Sequence, residues 1–181
     1  MKHFKNFKTC VYCTAQTLAS LDETTLARDY AYLEKYVGID KVYLETYRDG
    51  TWVAIDHMKM IQNFFKEHGV EIAGGITAVT PPLEKDDAKR QRLFQTFCYS
   101  NETMRTYLKK IVTYTAELFD EIILDDFFFT SCTCDDCLRE RSNLSWAEFR
   151  SNKMIDVAEN LVLKPAKLAN PSVKVTIKYP N

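Results

Sequence analysis

Strand-like and helix-like stretches alternate along this chain, each with its own period of apolar and polar positions. Residues 8–14 (KTCVYCT), 41–48 (KVYLETYR), 70–77 (VEIAGGIT), 121–129 (EIILDDFFF) and 173–179 (VKVTIKY) are short β-rich runs. Between them, Leu26, Tyr30, Leu33 and Val37 share one face of a predicted helix over 24–37 that Gly38 stops. Met58, Ile61, Phe64 and Phe65 mark a second helix ending at Gly69. Met104, Leu108, Ile111, Thr115 and Leu118 mark a third over 102–119, capped by Ser100 or Asn101. Ser20 with Glu23, and Ser145 with Glu148, read as capping boxes; the second opens a helical stretch to about Ala169, in which Pro165 predicts a kink or an early stop. Thr80 to Tyr99, with two prolines and many charges, predicts a long loop.

Five β units separated by helices predict one α/β domain over 1–181, built on a parallel sheet with right-handed crossovers. Two architectures satisfy this order: the N-terminal five strands of a (β/α)8 TIM-like barrel, or an open doubly wound sheet. Val42 and Leu44 alternate with Tyr43 and Glu45, and Val173, Val175 and Ile177 alternate with Lys174, Thr176 and Lys178. Such alternation suits a barrel, whose apolar set faces the helices while the other set lines the interior. Ending on a strand and Pro180-Asn181, the chain reads as the N-terminal part of a larger barrel. An open sheet edge makes a homodimer through that edge an expectation.

Charge narrows the partners. Lys+Arg 24 against Asp+Glu 25 leaves net charge -1, so no broad basic field favours nucleic acid or anionic lipid. No apolar run approaches the length of a membrane span, and MKHFKNFKTC lacks the apolar core of a signal peptide. A cytoplasmic protein is therefore expected. No glycine-rich phosphate cradle and no G-x-S-x-G elbow occur, so no nucleotide cofactor is expected. His3, His57 and His68 lie away from any strand end, which argues against a histidine base.

The remaining chemistry is acidic. Asp125-Asp126 follows the apolar Ile122-Ile123-Leu124, at the strand end where such sheets build their sites. Alternation puts Asp125 inside, Asp126 toward the rim, and Glu45 on the inward side of its own strand. Paired carboxylates facing one pocket are what glycosidic hydrolysis needs, one to protonate the leaving oxygen and one to attack or to activate water. Asp125, Asp126 and Glu45 are therefore the candidate catalytic residues. Arg48 and Lys178 are cationic partners at the same rim, and Tyr12 and Tyr47 offer rings for sugar binding, as do Phe127, Phe128 and Tyr179.

Cys132, Cys134 and Cys137 bring three thiols into one loop, and Cys98 lies in the preceding long loop. Together they predict an all-thiolate structural zinc site bracing the two loops. Asp135 and Asp136 inside the C-x-x-C argue against a redox pair, because acidic neighbours raise a thiol's pKa. Cys10 and Cys13, in the first strand, read as core.

The run EIILDDFFF with the following CTCDDC, together with YLETYRDG and GGIT at earlier strand ends, resembles glycoside-hydrolase-like β/α-barrel proteins of bacteria. The resemblance covers the whole chain as the first five β/α units. It implies a glycosidase acting on a carbohydrate, with the catalytic acid or nucleophile of the fourth strand matched by Asp125 or Asp126. In such enzymes the second carboxylate usually comes from the sixth, seventh or eighth strand. Two alternatives from the residues themselves are a non-catalytic carbohydrate-binding or zinc-stapled scaffold, and an open-sheet enzyme holding Mg²⁺ on Asp125-Asp126.

Overall fold

In a computed structural model, residues 4–79 and 89–179 are described. His3, Pro81, Pro82 and the chain's last two residues lie outside them. Strand β1 (Cys10–Cys13) leads through helices α1 (Ala15–Ser20) and α2 (Glu23–Tyr36) to β2 (Lys41–Arg48). The short β3 (Thr51–Trp52) and helix α3 (Ile55–Glu67) precede β4 (Glu71–Thr77). Then come α4 (Glu102–Leu118), β5 (Glu121–Asp125), α5 (Asp135–Arg141), α6 (Trp146–Asp156), α7 (Lys164–Ala169) and β6 (Lys174–Ile177).

The strands β1-β2-β4-β5-β6 lie side by side in chain order, all neighbours parallel, with β3 antiparallel to β2 off this path. A doubly wound sheet reverses its strand order at a switch point. Among the described residues this sheet shows no such reversal, an order compatible with successive units of a barrel. Right-handed crossovers between neighbours in this order put the connecting helices on one face. Val42, Leu44, Ile76, Ile122 and Leu124 share that parity and are at most 1% exposed. The opposite parity carries Tyr12 beside Tyr43, Glu45 beside Gly75, and Thr77 beside Asp125.

Local chemistry explains most boundaries. Asp49 (φ 50°) and Gly50 (φ 80°) form the two-residue turn between β2 and β3, a left-handed pair that Asp-Gly accepts readily. Asn101 caps α4 and Ser145 forms a capping box with Glu148, as the spacing predicts. The other predicted box is displaced: Asp22 pairs with Thr25 to open α2, while Ser20 closes α1. A single-turn helix so close to the next escapes a periodicity reading. Strand β5 ends at Asp125 rather than Phe129, because Asp126 takes φ 45° and leaves the ladder. Pro165 neither stops nor breaks its helix: a π-helical segment, Val157–Leu163, precedes it. The wider turn takes up the clash its ring would make with the carbonyl one turn back. Cys10 is exposed rather than core; Cys13 is half-buried, and burial pushes its thiol up to about 11.

Two adjacent glycines in β4 set how closely layers approach. A Cβ on Gly74 would lie 2.6 Å from the Thr115 methyl and 2.7 Å from the Phe119 ring of the α4 layer. On the other face, one on Gly75 would lie 2.7 Å from the Tyr12 hydroxyl. Gly74→Ala should therefore force α4 off the sheet and cost about 1–3 kcal/mol, the usual range for overpacking, read as a lower midpoint in urea unfolding.

Candidate functional site

The polar cluster stands at the C-terminal ends of the strands and is organised around Glu45. Its side chain is fully buried, yet both oxygens are satisfied. Oε2 accepts from the Ala15 backbone N–H at 2.7 Å, at the start of α1. Oε1 accepts from the Tyr12 hydroxyl at 2.8 Å and from the Thr77 hydroxyl. Arg48 donates its Nε to both oxygens, at 3.0 and 2.9 Å. A buried carboxylate is tolerable only with such pairing. The Tyr12 phenol is pushed well up by burial and by the adjacent Glu45 charge, so it stays the donor.

Arg48 carries this order across the sheet. Its Nη2 donates to Thr77 at 2.9 Å and to Asp125 Oδ2 at 3.3 Å. Lys178 closes the other side, with Nζ 2.8 Å from Asp125 Oδ1 and 3.2 Å from Asp126 Oδ1. These carboxylates raise Lys178 above an ordinary lysine. The Lys178 backbone is fixed as well: its N–H donates to Leu124 and its carbonyl accepts from Phe127. Asp126 arches between these two bonds in the left-handed region, and Phe128 (φ 78°) repeats the strain two residues on. Left-handed backbone at non-glycine residues concentrates at functional sites.

Asp125, Asp126, Glu45, Arg48, Lys178 and Tyr12 thus meet at one sheet end. Tyr47 does not. It is fully buried in an aromatic cluster with Trp52, Phe97 and Tyr107, and cannot meet a ligand. The reason is a register shift between Glu45 and Tyr47 against β4. A bulge inserts one residue, so Arg48 rather than Tyr47 joins Glu45 on the polar face. Phe127 is also core, packed on Tyr99. Thr77, bonded to both Glu45 and Arg48, was not singled out from the sequence; its place at a strand end is the one signal it offers.

The four cysteines converge. The Sγ atoms of Cys98, Cys132, Cys134 and Cys137 all lie within 4.8 Å of one another, and none forms a disulfide. Cys98 is 3.5 Å from Cys134 and 3.6 Å from Cys137, and Cys134 is 3.9 Å from Cys137. Hydrogen bonds from Cys137 and Cys98 pull the Cys132 thiol down, while Cys98 and Cys137 are pushed up. This set of four soft donors is compatible with a structural metal ion.

Residues 1–181, the whole chain, match the family described as Probable glycosyl hydrolase, catalytic domain. The chain is also 33% identical, over 198 aligned positions, to an uncharacterized protein of Saccharolobus solfataricus, an archaeon. That match covers 96% of this chain and 32% of the relative, so the chain spans about a third of the relative's length. An archaeal relative leaves no ground for confining the resemblance to bacteria. Among the described residues, no helix is long and apolar enough to cross a membrane.

Removing the central carboxylate should strip Arg48, Tyr12, Thr77 and the α1 N-terminus of their shared acceptor. Glu45→Ala is expected to lower stability by roughly 3–5 kcal/mol, as for a broken buried pair, measured by chemical denaturation. A loss under about 1 kcal/mol would show that the network contributes little.

Proposed function

Because this chain belongs to the family of probable glycosyl hydrolase catalytic domains, we propose that it provides the cleft of a glycosidase in which Asp125 is the acting carboxylate. The observation that carries this reading is the setting of Asp125: it ends β5 on the polar face, 15% exposed, between Lys178 and Arg48. Two cations suit a carboxylate that works as an anion, attacking the anomeric carbon or steadying its developing positive charge. Asp126, at the rim and, among the described residues, tied to Lys178, is suited to accept substrate hydroxyls. Glu45 has no free oxygen for proton transfer, and its role is to position Arg48 and hence Asp125. The carbohydrate substrate belongs to the same proposal.

Asp125→Asn in the whole protein should lower kcat on aryl glycosides by roughly 10⁴-fold, with the fold retained by circular dichroism. If Asp125 is the nucleophile, Asp125→Gly with added azide recovers turnover and releases a glycosyl azide. Full activity of the Asp125→Asn protein would sink the assignment.

We further propose that the cysteine cluster holds zinc. Four sulfurs around zinc lie about 3.8 Å apart, the edge of a tetrahedron with ~2.3 Å bonds. The three distances of 3.5, 3.6 and 3.9 Å match this spacing. With four protein ligands the ion has no open position, so its contribution is to tie the loop after β4 to the loop after β5. Elemental analysis of reduced protein should find one zinc per chain, and Cys132→Ser should reduce it and the melting temperature together. Protein that is fully folded and metal-free would refute the zinc site.

A further inference from the structure

The loop after β4 carries an apolar feature that neither the catalytic cluster nor the metal site uses. Arg92 and Thr96 are 4% and 3% exposed, and the Arg92 guanidinium donates back to the Thr96 carbonyl. Thr96 also bridges Val79, and the Phe97 N–H donates to the Ala78 carbonyl, so the turn's base is fastened to the end of β4. The residues between are displayed: Leu93 and Phe94 are 52% and 51% exposed. Phe94 and Gln95 both sit in the left-handed region, at φ 53° and 55°. A bulky residue held there is a genuine outlier, maintained only where the surroundings dictate it.

What Phe94 meets is the loop after β5. Its ring stands edge-on to Phe129, with centroids 6.0 Å apart, and the Leu93 N–H donates to the Ser131 hydroxyl at 2.8 Å. Phe129 lies four residues beyond Asp125, which bounds their Cα separation at about 14 Å. The left-handed kinks at Asp126 and Phe128 shorten it further. Cys98 on one loop and Cys132 and Cys134 on the other anchor both segments at their far ends.

We infer that Phe94 and Phe129 form an aromatic platform that binds a sugar ring of an oligosaccharide whose scissile bond lies at Asp125. This rests on the glycosidase reading. The apolar C–H face of a pyranose stacks on the face of an exposed aromatic ring, and Asp125, Asp126 and Lys178, at the strand end from which the Phe129 loop leaves, supply the hydroxyl partners. The pair is contributed by two loops, so neither loop alone makes the subsite.

The test uses the whole protein carrying Asp125→Asn, so that binding is read without turnover. An array of α- and β-linked gluco-, galacto-, manno- and xylo-oligosaccharides selects the tightest ligand, and titration calorimetry measures its Kd. Adding Phe94→Ala should weaken that Kd roughly tenfold, Phe94→Trp should restore it, and the melting temperature should stay unchanged because the ring is half exposed. An unchanged Kd with Phe94→Ala overturns the platform while leaving the glycosidase reading intact. A large fall in melting temperature also overturns it, marking Phe94 as packing. If no saccharide binds while Phe94 is intact, the glycosidase reading falls and takes the platform with it.

Discussion

A negative charge with no access to water holds this sheet end together. Glu45 is stable there only because four groups from four places in the chain donate to it: Tyr12 of β1, the backbone at the start of α1, Arg48 of β2 and Thr77 of β4. Each donor is thereby fixed relative to the others. Arg48 extends the constraint to Asp125, and Lys178 extends it to β6. The order of the candidate site is thus inherited from one desolvated carboxylate, which stays satisfied only while β1, β2 and β4 keep their register.

Space on either side of β4 serves the same arrangement. Gly75 lets the Tyr12 hydroxyl come close enough to reach Glu45, and Gly74 lets α4 come close on the other face. The bulge in β2 then decides which side chains share the polar face, bringing Arg48 beside Glu45 and sending Tyr47 into the core. Without it, the acid would face a tyrosine in place of its cation.

Beyond the strand ends, the described loop residues depart from regular backbone at several points. The segment after β5 kinks at Asp126 and Phe128, and the segment after β4 kinks at Phe94 and Gln95. Strained backbone of this kind needs fixed ends. The sheet supplies one end through the Leu124, Lys178 and Phe127 backbone bonds, and the cysteine cluster supplies the other. The chemistry of the site and the four-sulfur cluster are in this way parts of one loop system.

Much of this was legible in the amino-acid order. Alternation at Val42–Glu45 and Ile122–Asp125 placed Glu45 and Asp125 on a common face, and cysteine spacing brought Cys98 to Cys132, Cys134 and Cys137. Both are local or topological properties: a period of two needs only the strand, and neighbouring loops need only neighbouring strands. Tertiary structure alone decided the fate of Tyr47, the saturation of Glu45 and the role of Thr77. Each depends on contacts between residues about thirty or more apart in the chain, and on a one-residue register shift that leaves no mark in the pattern of apolar and polar positions.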